Sequence, residues 1–308
     1  MNVMRSLIFA VDIGGSKMVC GVLNRKGEIL RQWRTEYSPG YSAEDLFQYV
    51  REGFRVLNAG EDCSVCGATV PGLCDVHTGR WLYAPFSGLS DIPITDILTE
   101  ITGFPAYADN DVNLCALAER YFGACRNIRD FLWITVSNGI GGGLFLNGEL
   151  YRGSRLTAGE MGHLTVEENG RLCGCGKRGC LEAMASGASL SAIYEERNGI
   201  RLPTKKLAEL AREGDEEALA LFRTAGTYIG KGISHAVNLL GLDTVVLGGG
   251  VAESFSLLEP GISDALAHCV FDQGNPEVHV IHSPLGQYAA LKGCAALVLD
   301  EEMRRQSI

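Results

Sequence analysis

Short β-type runs and longer helical stripes of apolar residues follow one another along the chain. Residues 7–11 form one apolar run, a glycine-containing turn follows, and residues 18–23 form a second run. A strand, a tight turn and a strand together predict a β-hairpin. Residues 111–122 and 217–240 carry apolar side chains at helical spacing and predict two helices. The pattern therefore predicts a mixed α/β protein.

The second half of the chain repeats the combination of strand and glycine turn. The run 131–136 leads into a glycine-rich turn at 138–143 and then into a strand at 144–146. The run 244–247 leads into three glycines at 248–250. Two copies of the pattern predict two related α/β lobes with a cleft between them.

We also assign bounds to the two lobes. We assign residues 1–112 to an N-terminal lobe and expect a closing helix at about 290–308 to pack back on it. Residues 113–289 are assigned to a C-terminal lobe, which contains a cysteine-rich element at 158–182.

The composition restricts the partners of this chain. The 308 residues are 46% apolar and 21% charged, as in a water-soluble globular protein, and the net charge is −10. An acidic chain is a poor ligand for nucleic acid or an anionic membrane, and no apolar stretch is long enough to span a bilayer. The 11 cysteines are an odd number spread over a long chain. We therefore expect reduced thiols and a cytoplasmic protein.

The cysteine-rich element has the composition of a metal site. It contains one histidine and three closely spaced cysteines, namely His163, Cys173, Cys175 and Cys180. Such a set can close a tetrahedral zinc site of the structural type. Glu160 and Glu182 flank the set, so a metal could hold both acids against a ligand rich in hydroxyls, such as a sugar. His163 could also contact the sugar through its second ring nitrogen, alone or in addition to binding the metal.

A second possible metal set is weaker. Cys63, Cys66, Cys74 and His77 have suitable spacing, but the first two lie at or in a predicted strand. Residues three apart in a strand face opposite sides. We expect reduced core and loop cysteines here.

The turn Asp12-Ile-Gly-Gly-Ser-Lys17 has the features of a phosphate-binding turn. Its glycines allow close approach of backbone N–H groups to phosphate, and Ser16 adds a hydroxyl. Asp12 could hold Mg²⁺ through water. The alternative is an ordinary tight turn. The spacing is not that of a Walker A motif.

Asn110-Asp111 stands between a predicted strand and a predicted helix, where an Asn commonly serves as a helix cap. Beside a phosphate turn, Asp111 also becomes a candidate base that orients a hydroxyl and accepts its proton. The glycine turns at 138–143 and 248–250 would suit the phosphates and adenosine of a nucleotide, although either could simply allow close packing.

Together these motifs resemble the ROK family of sugar kinases and transcriptional repressors, in particular its glucokinase-like branch. The resemblance extends from the Asp12 turn to the final helix, and the Glu160-x-Gly-His163 sequence with the cysteines is its most specific part. It implies an α/β fold of the two-lobed, actin-like and hexokinase-like (ribonuclease H-like) ATPase type. It also implies ATP, Mg²⁺ and structural Zn²⁺ as cofactors, and a homodimer.

The resemblance implies a role for each matching residue. Asp111 corresponds to the catalytic base. The sugar-binding residues would be Gly72 (through its backbone), Asn110, Asp111, Glu160, His163 and Glu182. The nucleotide-binding residues would be Asp12, Gly14, Gly15, Ser16, Lys17, Asn138, Gly139, Gly141, Gly248, Gly249 and Gly250. The zinc ligands would be His163, Cys173, Cys175 and Cys180.

Two positions depart from the family pattern. Asn138 replaces a threonine whose hydroxyl would face phosphate, and Asp109 stands where glutamate is common. The repressors carry a DNA-binding segment before the first turn, and the 11 residues ahead of Asp12 are too few for one.

We therefore expect an ATP-dependent kinase acting on the 6-hydroxyl of a hexose, with glucose favoured. The alternatives are N-acetylmannosamine, N-acetylglucosamine, allose, fructose or a β-glucoside as substrate, or a non-catalytic sugar sensor of the same fold.

Overall fold

The computed structural model describes residues 6–38, 40–84, 87–271 and 277–306. The strands are β1 (Leu7–Ile13), β2 (Lys17–Leu23), β3 (Ile29–Glu36), β4 (Cys63–Val70), β5 (Leu73–Asp75), β6 (Arg80–Tyr83), β7 (Ser90–Ile92), β8 (Ala106–Asn110), β9 (Phe131–Val136), β10 (Ile140–Leu146), β11 (Glu149–Tyr151), β12 (Thr244–Gly248) and β13 (His279–His282). The α-helices are α1 (Ala43–Val56), α2 (Ala59–Asp62), α3 (Ile94–Thr102), α4 (Asp111–Phe122), α5 (Leu181–Ala185), α6 (Gly187–Asn198), α7 (Thr204–Arg212), α8 (Glu216–Leu240), α9 (Phe255–Cys269) and α10 (Ala289–Gln306).

The chain divides into two compact units. The first comprises residues 1–127, 153–157 and 288–308, and the second comprises 128–152 and 158–287. The first unit thus extends beyond residue 112, where the sequence analysis places the boundary, because α4 packs against α10.

The first unit is built on a five-stranded sheet in the order β3-β2-β1-β4-β8. The strands β3, β2 and β1 form antiparallel pairs, whereas β1, β4 and β8 run parallel to one another. One apolar core includes Phe9 of β1, Phe47 of α1 and Leu98 of α3. A second core joins Ile8 of β1 to Leu291 of α10. The predicted end of that helix at 307–308 lies outside the described residues.

The second unit repeats this topology with the order β11-β10-β9-β12-β13. The β9–β10 pair is an antiparallel hairpin, and β12 lies parallel to β9. The long helix α8 packs against α9, α5 and α7. Its buried face, which includes Phe222, Ile229 and Ile233, belongs to the main core of this unit.

Most predicted elements are confirmed within a few residues, among them the first hairpin, α4, α8 and β9. One prediction was wrong. The glycine-rich turn at 138–143 ends at Gly139, and the remaining glycines lie inside β10. The reason is tertiary, because a Cβ at Gly142 would lie 2.4 Å from the Met161 side chain. Glycine is used here so that another segment can approach the strand closely.

Candidate functional site

In the first unit, polar residues gather where three parallel strands end. Asp12 of β1 pairs with Thr69 of β4, which in turn pairs with Asp109 of β8. Asn110 closes β8, and Asp111 begins α4. In open α/β sheets, ligands commonly bind at the carboxyl ends of the strands, so the fold brings these residues to a suitable edge.

Asp12 is a half-buried carboxylate with one fixed oxygen. The hydroxyl of Thr69, which is fully buried, donates a 2.8 Å hydrogen bond to its Oδ1. Burial raises the pKa of Asp12, while the hydrogen bond from Thr69 and the charge of Lys17 act in the opposite direction. A cation beside Asp12 would further favour its charged form. The sequence analysis missed Thr69, because a single threonine in an apolar strand gives no functional signal.

The predicted phosphate turn closes the β1–β2 hairpin. The N–H of Gly14 donates to the carbonyl of Lys17 at 2.9 Å. The Tyr37 hydroxyl lies 2.5 Å from the carbonyl oxygen of Gly14 and 3.0 Å from that of Lys17, so it braces the turn from one side. Ser16 and Lys17 are exposed and can reach an anion. The sequence analysis also missed Tyr37, because this residue directly follows β3 and belongs to no motif.

Asn110 holds two parts of the first unit together. Its Oδ1 accepts hydrogen bonds from the N–H groups of Val112 and Asn113, which makes it the N-cap of α4. Its Nδ2 donates to the carbonyl of Gly72 at 2.7 Å and to Oδ1 of Asp111 at 3.0 Å. Gly72 has a φ of +84°, which favours glycine, so the amide fixes a backbone turn that other residues adopt with strain.

Asp111 is half-buried at the first position of α4. Burial and the nearby negative charge of Asp12 raise its pKa to about 7, while hydrogen bonds from Val112 N–H and from Asn110 act in the opposite direction. The buried Asp109 carboxylate accepts hydrogen bonds from the N–H of Asn110 and from Nδ2 of Asn113, and so supports the same corner. A carboxyl group whose pKa is raised in this way suits general acid–base chemistry near neutral pH.

In the second unit, the four predicted metal ligands come together. The ligand atoms of His163, Cys173, Cys175 and Cys180 all lie within 4.8 Å of one another. Cys173 Sγ is 3.8 Å from His163 Nδ1, and Cys175 Sγ is 3.6 Å from Cys180 Sγ. Tetrahedral zinc with bonds of about 2.0–2.3 Å requires ligand separations of this size. The donor set and its geometry thus fit Zn²⁺, and the Nε2 atom of His163 remains for another partner.

The two predicted acids beside the metal ligands are placed differently. Glu160 is exposed and precedes a 3₁₀ turn, Met161–His163, which packs on β10. Glu182 is half-buried in the first turn of α5, and its Oε2 accepts a 3.0 Å hydrogen bond from the N–H of Ile140. The contact with Ile140 involves a backbone group, so no sequence motif could have shown it.

The predicted nucleotide residues of the second unit lie side by side. Gly248 pairs with Thr135 of β9. Gly249, which has a φ of +93°, is so close to β9 that an added Cβ would lie 2.6 Å from the carbonyl oxygen of Val136. Asn138 is exposed at the β9–β10 turn, Gly139 completes that turn, and Gly141 follows in β10. The two glycine segments therefore present backbone at one end of the β9–β12 pair.

The second cysteine set forms no such cluster. Cys63, Cys66 and Cys74 are buried in the core of the first unit, whereas His77 lies in the β5–β6 turn. Over the residues that the structure describes, His163 and its three cysteines are the one metal-ligand group of this kind.

The chain belongs to the ROK family, which it matches over residues 8–301. It is 28% identical to the glucokinase of Thermotoga maritima, over 95% of this chain and 97% of that protein. It is 31% identical to the xylose repressor of Bacillus subtilis, over 76% of this chain and 60% of the repressor. Its structure resembles that of a ROK family glucokinase from Streptomyces griseus in complex with glucose and AMPPNP, with a TM-score of 0.84. The two sequences are 30% identical, and the match covers 94% of this chain and 98% of that chain.

These similarities confirm the predicted family and the α/β fold class of the ROK hexokinases. Within the described ranges, no helix has the length and apolar character needed to cross a membrane.

Proposed function

We propose that this protein is an ATP- and Mg²⁺-dependent sugar kinase that phosphorylates the 6-hydroxyl of a hexose, with glucose as the preferred substrate. The observation that carries the proposal is the position of Asp111. It lies half-buried at the end of a parallel strand, its pKa is raised to about 7, and the charge of Asp12 from the phosphate turn contributes to that shift.

Asp111 acts as the base in the proposed reaction. It accepts the proton of the sugar 6-hydroxyl while the hydroxyl oxygen forms a bond to the γ-phosphorus of ATP. The bond between the γ-phosphorus and the β,γ-bridging oxygen breaks, and ADP leaves with that electron pair. In a loose transition state the proton leaves late, so Asp111 contributes mainly by orienting the hydroxyl.

The sugar-binding residues we propose combine side chains with one backbone turn. Asn110, Glu160, His163 and Glu182 offer donors and acceptors to sugar hydroxyls, and the Gly72 turn lies within hydrogen-bonding distance of Asn110. Carboxylates and an imidazole suit a ligand with several hydroxyl groups in fixed directions.

The glycine turns bind the nucleotide in this proposal. Gly14, Gly15, Ser16 and Lys17 contact phosphate, and Gly139, Gly141 and the segment 248–250 contact phosphate and adenosine. Bound Mg²⁺ would offset charge on the phosphates, and Asp12 would hold it through water, since its Oδ1 is already engaged by Thr69. Zinc on His163, Cys173, Cys175 and Cys180 would fix the segment that carries both glutamates.

The choice of sugar rests on the relatives. The glucokinase of Thermotoga maritima aligns along nearly its whole length, which favours glucose. The similarity to the xylose repressor supports a second candidate, a sugar sensor without transfer activity, and Asn138 at the phosphate turn is consistent with it.

Sugar-dependent ADP release across a panel of hexoses separates these functions. We expect ADP to form with glucose and the product mass to correspond to a hexose monophosphate. Release with N-acetylmannosamine, N-acetylglucosamine, allose, fructose or a β-glucoside instead would reassign the substrate. Sugar-induced stabilisation against heat without any ADP would show a sensor and overturn the kinase proposal.

A further inference from the structure

Glu182 joins two predicted binding regions of the second unit. It lies two residues after the metal ligand Cys180, and its carboxylate reaches the β9–β10 turn. Its Oε2 accepts the Ile140 N–H at 3.0 Å, and a Cβ added at Gly139 would lie 2.5 Å from the same oxygen. The carboxylate therefore touches the turn that carries Asn138 and Gly139.

The other side of this turn is held by the start of α6. The carbonyl of Ser137 accepts the Gly187 N–H at 2.7 Å, and the carbonyl of Asn138 accepts the Ala188 N–H at 3.2 Å. The start of α6 is in turn bound to the backbone of Glu182, whose carbonyl accepts hydrogen bonds from the hydroxyl of Ser189 at 2.8 Å and from the N–H of Ser186 at 3.1 Å.

Glu182 is thus hydrogen-bonded to the turn directly through its carboxylate and indirectly through α6. We infer that Glu182 positions the β9–β10 turn for the phosphates of the nucleotide, and that it thereby couples sugar affinity to nucleotide affinity. The inference rests on the proposed function, in which Glu182 also binds the sugar.

The two carboxylate oxygens of Glu182 have different partners in this proposal. Oε2 is engaged by Ile140, and Oε1 can accept a sugar hydroxyl. A bound sugar would restrict the rotamer of Glu182 and so keep Oε2 on the turn. A turn that is already ordered binds phosphate with a smaller loss of conformational entropy. By linkage, bound nucleotide increases sugar affinity by the same factor, and couplings of this kind are about 5- to 150-fold.

Two substitutions at this position separate the roles. Glu182→Ala removes the acceptor for Ile140 and the sugar contact. Glu182→Gln retains a carbonyl oxygen for the Ile140 N–H but loses the charge that binds a sugar hydroxyl strongly. Glu160→Ala is the matched control, because Glu160 is an exposed acid beside the same metal ligands.

The experiment measures the affinity of AMPPNP by calorimetry, with and without glucose, on zinc-replete protein. We expect Glu182→Ala to weaken AMPPNP binding about fivefold without sugar and to abolish the gain that glucose gives to the wild type. Glu182→Gln should bind AMPPNP within about twofold of the wild type yet bind glucose more weakly. Glu160→Ala should weaken glucose binding alone.

Hydrogen exchange of the Ile140 amide gives a readout that needs no ligand. It should accelerate in Glu182→Ala and remain protected in Glu182→Gln and Glu160→Ala. If Glu182→Ala unfolds, Gly139→Ala tests the same contact without ligand, since its methyl group displaces the Glu182 carboxylate, and the Ile140 amide should then exchange faster than in the wild type.

Wild-type affinity for AMPPNP in Glu182→Ala, with unchanged protection of Ile140, would refute the inference while leaving the kinase proposal intact. Absence of sugar-dependent ADP would refute the kinase proposal, and the AMPPNP and exchange measurements would still decide the role of Glu182. A wild type that binds neither AMPPNP nor glucose would refute both.

Discussion

At the scale of single residues, the chemistry that we propose for the first unit depends on two carboxyl groups, Asp12 and Asp111, because the charge of Asp12 raises the pKa of Asp111. The sequence shows Asp12 and Asp111 as members of motifs, but it does not show that the charge of one raises the pKa of the other. The sequence also gives no sign that the hydroxyls of Thr69 and Tyr37 hydrogen-bond to Asp12 and to the Gly14 carbonyl, because neither residue belongs to a motif. Such contacts depend on strand register, which no local pattern contains.

The raised pKa of Asp111 predicts a pH-dependent effect on stability. The unfolded chain releases this proton near pH 4, whereas the folded protein keeps it to about pH 7. Between these values the wild type therefore loses stability as the pH rises, and Asp111→Asn does not incur this loss. We expect the variant to gain roughly 1–3 kcal/mol relative to the wild type between pH 5 and pH 8. Urea unfolding at both pH values measures this, and a constant difference would contradict the assigned shift.

The hydrogen bond from Thr69 to Asp12 should contribute to the free energy of unfolding, and a substitution that keeps the hydroxyl should retain that contribution. Thr69→Val keeps the volume but leaves Oδ1 of the half-buried Asp12 without its donor. Losing a hydrogen bond to a charged group costs about 1–3 kcal/mol. Thr69→Ser retains the hydroxyl and is the control. Equal free energies of unfolding for the Val and Ser variants would show that this hydrogen bond contributes little.

At the scale of elements, the spacing of apolar residues predicted the helices better than it predicted the glycine-rich strand β10. The apolar stripe of α4 and its Asn110 cap were both visible in the sequence, and both are confirmed. The sequence predicted the end of β10 at 144–146, but its first four residues were missed because three glycines hide the strand pattern there. They are tolerated because the 158–162 segment packs on them: a Cβ added at Gly159 would lie 2.2 Å from the carbonyl oxygen of Gly142, and one added at Gly162 would lie 2.1 Å from that of Ile140. Whether such a glycine-rich segment forms a strand therefore depends on its tertiary contacts.

If the segment 158–182 binds zinc as we propose, its local order should depend on the metal. We expect about one zinc per chain by mass spectrometry and less in Cys175→Ser, because the variant lacks one of four ligands. Residues 160–182 should then exchange amide hydrogens faster, and the KM for sugar should rise through Glu160 and Glu182. Cys269→Ser, at an exposed thiol of α9, is the control and should keep its zinc. Metal-free wild type with normal protection of this segment would disprove the assignment.

At the scale of the whole molecule, the repeated pattern of hairpin and glycine turn correctly predicted two α/β units. The sequence could not show that residues 153–157 belong to the first unit, or that this unit continues to Asn127. Contacts between distant parts of the chain determine both features. The sugar is likewise undetermined by the fold, since the ROK family includes relatives named as glucokinase and as xylose repressor.

The most direct test of the account compares wild type and Asp111→Asn in two assays, glucose binding by calorimetry and glucose-dependent ADP release. Asn is nearly isosteric with Asp but cannot accept the hydroxyl proton. We therefore predict glucose affinity within about threefold of the wild type and a kcat lower by about 10²- to 10⁴-fold. A variant with near-normal turnover would contradict the central claim that Asp111 is the base of a sugar kinase.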